Sequence, residues 1–200
     1  MRLKAFAVID TNVIVSTGIS KNGSPAKVLQ LVEEGNIIPV FDERMLDEYY
    51  KVLNYPHIAE RISQPDVYDL LYRVVKNGLL INDVEQAKGE FKDIDDIPFF
   101  EVKESSKEFD SYLVTGNKKH FPETNDIVTS REMLIVMENN DKLLAHVEKF
   151  FVHNDDYESS VNKLIQAKIC SSKYTKGSEI VSKIFDTKSK AIKKSYFERD

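Results

Sequence analysis

Short apolar runs alternate with helix signals through the first 140 residues, and this alternation limits the folds open to the chain. The first run, residues 5–9, carries no charge and is typical of a strand buried on both faces. Further strands are predicted at 37–40, 79–81, 112–115 and 127–128. Strands that alternate with helices favour a parallel sheet with helices on both sides. We therefore expect an α/β fold with three layers, α/β/α.

Helix signals fill the intervals between these strands. Ser24 and a following proline predict a helix start, and Gly35 predicts its end. Asp42 is placed to cap the next helix, and Thr129 with Glu132 forms a capping box. The predicted later helices are 43–53, 65–77, 97–107 and 130–138. The segment between the first strand and Ser24 is predicted to be a polar loop.

Beyond Asn140 the pattern changes, because apolar residues recur at helical spacing and no strand is evident. Helical segments are predicted at 141–153, 157–170 and 178–186. We therefore divide the chain into a domain of residues 1–140 and a helical, Lys-rich extension of residues 141–200. The extension is too poor in apolar residues for a separate core, so it is expected to pack on the domain or on a second copy.

Charge and composition exclude several classes of protein. The net charge of −5 argues against a surface built entirely for nucleic acid, although one groove for nucleic acid is compatible with it. A single cysteine excludes a disulfide framework. No apolar run is long enough to span a membrane and no secretory signal opens the chain, so a cytoplasmic protein is expected.

Acidic and amide side chains stand at the boundaries of several predicted elements. Asp10 follows the first strand, and ligands of α/β sheets bind outside the carboxyl ends of strands. Glu48 lies beside the apolar stripe of its helix. Asp96 has two acidic neighbours, Asp93 and Asp95, and like charges so close repel unless a cation or a helix N-terminus offsets them. Each placement has an ordinary explanation, but the set predicts a cation site.

The order of these motifs resembles that of a PIN domain, in particular the toxin components of bacterial toxin–antitoxin systems. The motifs are DTNV at 10–13, LDEYYKVL at 46–53, DIDDIPFFE at 93–101 and YLVTGNKKHFP at 112–122. The resemblance implies a ribonuclease dependent on Mg²⁺ or Mn²⁺, with Asp10, Glu48 and Asp96 as catalytic residues and metal ligands. The usual pattern has an acid at Asn117, whose amide oxygen is a neutral replacement ligand.

The same resemblance implies partners and supporting residues. An RNA substrate, a cognate antitoxin protein and a homodimer or higher oligomer are expected. Residues expected to support the metal ligands or contact the substrate are Thr11, Asn12, Asp95, Thr115 and Ser130. His120 is interpreted as part of a basic surface loop suited to phosphate rather than as a general base.

Two alternatives remain open at this stage. The first is a catalytically weakened PIN-like module that binds RNA or a partner protein, for which the amide at Asn117 is the argument. The second is a haloacid-dehalogenase-like phosphatase, which also begins with a strand ending in Asp. That class has an acid two positions further on as proton donor, whereas this chain has Asn12.

Overall fold

The computed structural model describes residues 4–87, 93–148 and 173–181, and its centre is a sheet of six strands. In chain order the strands are β1 (Ala5–Ile9), β2 (Ile37–Phe41), β3 (Leu79–Ile81), β4 (Tyr112–Val114), β5 (Ile127–Val128) and β6 (Tyr174–Lys176). Their order across the sheet is β5-β4-β1-β2-β3-β6. The first five strands are parallel, while β6 pairs antiparallel with β3.

Helices lie on both sides of this sheet, which confirms the predicted three-layer architecture. They are α1 (Thr11–Ile19), α2 (Ser24–Glu33), α3 (Glu43–Leu53), α4 (Pro56–Ala59), α5 (Gln64–Lys76), α6 (Ile97–Ser105), α7 (Ser130–Glu148) and α8 (Gly177–Val181). Two short 3-10 helices span Lys107–Phe109 and Lys118–His120. Helix α6 contacts β1, β2 and β4, whereas α1, α2 and α5 pack against one another and α7 packs against α2. All five residues of β1 are buried, as expected for a central strand.

The caps predicted at Asp42 and at Thr129 with Glu132 are formed, whereas Ser24 is the first residue of α2 and Gly23, not Ser24, holds the N-cap position. The Asp42 carboxylate accepts a hydrogen bond from the Met45 amide at 2.9 Å, which fixes the start of α3. The Thr129 hydroxyl accepts from the Glu132 amide, and the Glu132 carboxylate accepts from the Thr129 amide at 2.6 Å. This reciprocal pair is the capping box predicted before α7.

The polar loop predicted after β1 is wrong, because residues 11–19 form α1. This segment is rich in β-branched residues and uncharged, so its helix propensity is low. Burial overrides that propensity: Val13 and Ile14 are within the core. Gly18 belongs to the same packing, since a Cβ there would lie 2.4 Å from the Ile62 side chain.

The prediction of an all-helical extension is also wrong, because β6 belongs to it. Helix α7 continues without a break through residue 140 to Glu148. The helix predicted at 157–170 lies outside the described residues. Within the described part of the chain, every helix is too short or too polar to cross a bilayer.

Candidate metal centre

The carboxyl ends of β1 and β4 meet at the point where the order of the sheet reverses. From β1 the chain moves outward to β2 and β3, then crosses back to β4 on the other side of β1. Asp10 follows β1 and Thr115 follows β4. The Asp10 amide donates to the Val114 carbonyl at 2.9 Å, which holds the two strand ends side by side. Such a switch point is where open α/β sheets bind ligands.

Asp10 is buried and held by hydrogen bonds from two directions. Its carboxylate accepts from the Thr115 hydroxyl at 2.6 Å and from the Asn12 side-chain amide at 2.5 Å. Asp10 is 4% exposed and Thr115 is fully buried. One Asp10 carboxylate oxygen also accepts from the Asn12 backbone amide, so Asp10 caps α1 as well. The position of this carboxylate is therefore fixed before any ligand binds.

Asn12 joins the two loops that follow β1 and β4. Its side-chain oxygen accepts from the Gly116 amide at 2.7 Å, while its amide donates to Asp10 and, at 3.3 Å, to Thr115. A Cβ at Gly116 would lie 2.9 Å from the Asn12 side-chain oxygen, so this close approach favours glycine. The predicted supporting role of Asn12 and Thr115 thus corresponds to direct contacts with Asp10.

Burial raises the pKa of Asp10 above its ordinary value. The hydrogen bonds from Thr115 and Asn12 lower the pKa, but the neighbouring charge of Asp96 raises it further. A fixed carboxylate whose ionised form is disfavoured by burial and by a second carboxylate gains free energy when a cation arrives. This combination fits a metal ligand.

Asp96 belongs to the same network through His120. Its carboxylate lies 2.7 Å from His120 Nδ1, and His120 Nε2 lies 2.6 Å from the Asn117 side-chain nitrogen. The Asn117 backbone amide donates to the Thr115 hydroxyl at 2.9 Å, the same hydroxyl that binds Asp10. Three of the predicted ligands, at positions 10, 96 and 117, are therefore linked by a continuous set of hydrogen bonds.

The pKa of Asp96 is raised, mainly by burial. His120 lowers that pKa, whereas the charges of Asp93 and Asp95 raise it. Asp93 is better placed than Asp95 to bind an ion together with Asp96. One oxygen each from Asp93 and Asp96 and a ring nitrogen of His120 lie within 4.8 Å of one another. The Asp95 backbone amide donates to Asp93 at 3.0 Å, and Asp95 is itself exposed.

Glu48 stands apart from this network. It lies on α3, partly buried, and forms an ion pair with Lys51 at 3.2 Å. Among the described residues it makes no hydrogen bond to the other predicted ligands. The next residue, Tyr49, is fully buried and donates its hydroxyl proton to the Ile9 carbonyl, which anchors α3 at the end of β1. The role of Glu48 as a ligand stays a prediction.

The predicted supporting roles of Thr11 and Ser130 also stay predictions. Thr11 is buried, and its hydroxyl oxygen has no hydrogen-bond partner among the described residues, so it does not hold Asp10 as Asn12 does. Ser130 is buried at the first position of α7, close in sequence to the end of β5. Each of the two residues follows the last residue of a parallel strand by two positions, Thr11 after β1 and Ser130 after β5.

His120 is the site residue that the sequence interpretation missed. Its loop does carry lysines, but the ring contacts both Asp96 and Asn117 instead of serving as surface charge only. One local signal was present: Asn117 and His120 are three residues apart across a 3-10 turn, which is the spacing that brings two side chains together. Nothing local indicated the contact with Asp96, 24 positions away.

The donor set is that of a hard divalent cation. Carboxylates and amide oxygens are the ligands that Mg²⁺ and Mn²⁺ prefer, and imidazole is a further ligand for Mn²⁺. Within the described residues, no lysine or arginine forms an ion pair with Asp10, Asp93 or Asp96. The residues present therefore fit a divalent metal ion.

Comparison with known proteins gives one match. The family described as PIN domain matches residues 7–119, more than half of the chain and the part that contains Asp10, Glu48, Asp96 and Asn117. No curated protein and no solved structure matches the sequence. The family match argues against the phosphatase alternative. The site argues the same way, because Asn12, which is hydrogen-bonded to Asp10 and Gly116, is an amide and cannot be the acid that this alternative requires.

Proposed function

The chain belongs to the PIN-domain family, whose members are generally nucleases that use divalent metals, and we propose that it is a metal-dependent ribonuclease. The observation that carries the proposal is the buried Asp10 carboxylate, fixed by Thr115 and Asn12 beside the carboxylate of Asp96. We propose Asp10 and Asp96 as metal ligands, with Glu48 and the Asn117 amide oxygen completing the set. The ion would be Mg²⁺ or Mn²⁺.

The proposed reaction is hydrolysis of an RNA phosphodiester. The oxygen of a water molecule bonds to phosphorus, and the bond from phosphorus to the leaving sugar oxygen breaks. The attacking water gives up a proton to solvent, and the leaving oxygen takes up a proton from solvent to become a hydroxyl. A bound divalent ion supplies a water of lowered pKa and offsets charge on the phosphate. Asp10 and Asp96 would hold the ion, while the hydrogen bonds from Thr115 and Asn12 keep the Asp10 carboxylate from rotating away. No protein side chain is needed as general base in this scheme.

A neighbouring groove supports RNA as the substrate. It has a volume of about 780 Å³, and its lining includes Lys118, Lys119, Phe121, Asn125 and Ile135. Lysines bind phosphates, so Lys118 and Lys119 can contact an RNA backbone, and Lys118 also pairs with Glu132 at 3.2 Å. The Phe121 ring is buried, so it offers no surface for base stacking. Lys118 of the groove lining directly follows Asn117 in the chain. We propose that RNA lying in the groove extends from Lys118 to the metal centre.

The test is cleavage of labelled single-stranded and hairpin RNAs in Mn²⁺, in Mg²⁺ and in EDTA. We expect metal-dependent cleavage by the wild type and a loss of at least about 100-fold in Asp10→Asn, because the charged ligand is removed while its shape is kept. Glu60→Gln is the matched control, since Glu60 is an exposed acid outside the site. Cleavage that persists in EDTA, or that Asp10→Asn leaves intact, would contradict the proposal.

A specific observation favours a second candidate, a quiet module that binds RNA or a partner protein without cleaving. Asp96 is paired with His120 and Glu48 with Lys51, so two of the three proposed catalytic acids already have cationic or hydrogen-bonding partners. Fluorescence anisotropy on the same RNAs separates the two. Binding without product in any metal supports the module, and product formation supports the nuclease.

We further propose that the nuclease is the toxin of a toxin–antitoxin pair, acting in the cytoplasm as a homodimer or higher oligomer. The support is the likeness of the motifs to such toxins. Induced expression should arrest bacterial growth for wild type and not for Asp10→Asn. Co-expression of a cognate antitoxin should restore growth, and light scattering should give at least twice the 23.0 kDa chain mass. Growth unaffected by the wild type would contradict the toxin role alone.

A further inference from the structure

His120 lies among the proposed ligands of the candidate centre. Its ring lies between Asp96, 2.7 Å from Nδ1, and Asn117, 2.6 Å from Nε2. Asp93 also comes within 4.8 Å of both the ring and Asp96. An imidazole is therefore surrounded by side chains that are themselves able to bind a metal ion.

The spacing suits ligands of a single ion. Two neighbouring ligands of an octahedral ion with bonds of about 2.1 Å lie about 3 Å apart. The separation of 2.7 Å between His120 Nδ1 and Asp96 is close to that value, so only a small displacement converts the hydrogen bond into an edge of a coordination polyhedron. The His120 side chain is 36% exposed, which leaves a path for an ion from solvent.

A single imidazole does not offset the negative charge of the carboxylates around it. Three carboxylates, at positions 93, 95 and 96, stand within four residues at the start of α6. Among the described residues, His120 is the basic group that pairs with one of them, Asp96, and no lysine or arginine forms an ion pair with any of the three. A neutral or singly charged ring cannot offset three negative charges, whereas a divalent ion bound beside it reduces the repulsion.

We propose that His120 is a metal ligand together with Asp93 and Asp96, and that Asn117 orients its ring, so that the centre selects ions that accept nitrogen over Mg²⁺. This inference rests on the proposed nuclease site and assigns its metal preference. On binding, the ion takes the Nδ1 lone pair while the ring keeps one proton on Nε2, on the side of Asn117. A neutral ring therefore binds as the Nε2-protonated tautomer, and a doubly protonated ring releases its Nδ1 proton to solvent. Because imidazole affinity rises from Mn²⁺ through Co²⁺ to Ni²⁺, the wild type should bind these ions in that order of increasing strength.

The experiment uses the full chain loaded with Mn²⁺ and measures pulsed electron paramagnetic resonance. A coordinated imidazole nitrogen modulates the Mn²⁺ spin echo, which a site made of oxygen ligands does not do. We expect the nitrogen modulation in wild type and its loss in His120→Asn. The matched control is His57→Asn, since His57 is an exposed histidine that stacks on Tyr55 outside the site, and the modulation should persist there.

Calorimetric titrations supply the selectivity. His120→Asn should weaken Co²⁺ and Ni²⁺ binding by at least about tenfold and Mg²⁺ binding by less than about threefold, because Mg²⁺ gains little from imidazole. Mn²⁺ binding with RNA cleavage but without nitrogen modulation would overturn this inference and leave the nuclease proposal standing. The absence of any metal binding would overturn both. Modulation that survives in His120→Asn would assign the nitrogen to another residue and overturn the inference alone.

Discussion

The sheet joins strands that are distant in sequence at two places, and the two joints are built differently. At the ends of β1 and β4 the side chains are buried and polar or charged. The Asp10 carboxylate accepts hydrogen bonds from Thr115 and Asn12, and burial raises its pKa. Between β3 and β6 the backbone pairs close the sheet: Asn82 donates to the Lys173 carbonyl and Gly177 to the Gly78 carbonyl, both at 2.8 Å.

The side chains at the two joints differ in the same sense. Tyr174 of β6 is buried, packs edge-on against Phe109 at 5.0 Å, and donates its hydroxyl proton to Glu108 at 2.7 Å. At this joint Lys173 pairs with Glu108, whereas at the β1–β4 joint the charge of Asp96 disfavours ionisation of Asp10. One joint stabilises the fold, and the other retains unfavourable electrostatic free energy that a cation can relieve.

The largest effect on stability is expected from Gly177→Ala. A Cβ at this position would lie 1.6 Å from the Val75 carbonyl oxygen, a backbone atom that cannot rotate away. We expect β6 to detach or shift, with a loss of about 1–3 kcal/mol in the free energy of unfolding. Urea unfolding and amide exchange at β3 are the measurements. Wild-type stability together with wild-type exchange would contradict the described β3–β6 pairing.

Gly116→Ala is the matched substitution at the other joint, with a milder contact. There the new Cβ meets a side-chain atom, the Asn12 oxygen at 2.9 Å, which can move. We expect unfolding free energy within about 1 kcal/mol of wild type but a several-fold weaker Mn²⁺ affinity, because Asn12 then holds Asp10 less firmly. Calorimetry and urea unfolding on the same samples compare the two quantities. Unchanged metal affinity would exclude Asn12 from positioning Asp10.

Asp10→Asn should stabilise the metal-free protein. Since the folded state raises the pKa of Asp10, the ionised group costs stability: its favourable contribution is complete below the unfolded pKa and is lost as pH rises through the folded pKa. Removing the charge should raise Tm in EDTA at pH 7 by about 2–4 °C for each 1 kcal/mol gained. The gain should shrink at acidic pH. A lower Tm at pH 7 would show that the lost hydrogen bonds outweigh the relieved charge.

Tyr174→Phe should have the smallest effect. Burial alone would raise the pKa of Glu108, but the hydrogen bond from Tyr174 and the charge of Lys173 bring it below its ordinary value. The stability from ionised Glu108 is therefore present above its unfolded pKa and is lost as pH falls through the folded pKa. The substitution should cost about 0.5 kcal/mol at pH 7, since solvent screens this partly exposed group, and less near pH 3.

Thermal unfolding at the two pH values measures this difference. Tyr112→Phe is a suitable control, because the Tyr112 hydroxyl makes no hydrogen bond to any described residue. An equal loss of stability at both pH values would assign the effect of Tyr174→Phe to packing rather than to Glu108.

Local signals in the sequence determined most of the elements in the first 140 residues. The burial of β1, the cap at Asp42 and the capping box at Thr129 and Glu132 depend on residues within one or two turns of each other. Such features can be predicted without a structure because the interacting groups are neighbours in the chain. The same holds for Asp10: a polar residue after a buried strand is placed at the carboxyl edge by chain direction alone.

Tertiary structure alone decided the rest. Helix α1 forms despite weak propensity because the core buries its apolar side chains, and β6 is a strand only because β3 offers it an unpaired edge. The contact of His120 with Asp96 likewise joins segments whose separation carries no periodic signal. Propensity and capping act over a few residues, whereas these features depend on which surfaces meet after the chain has closed long loops.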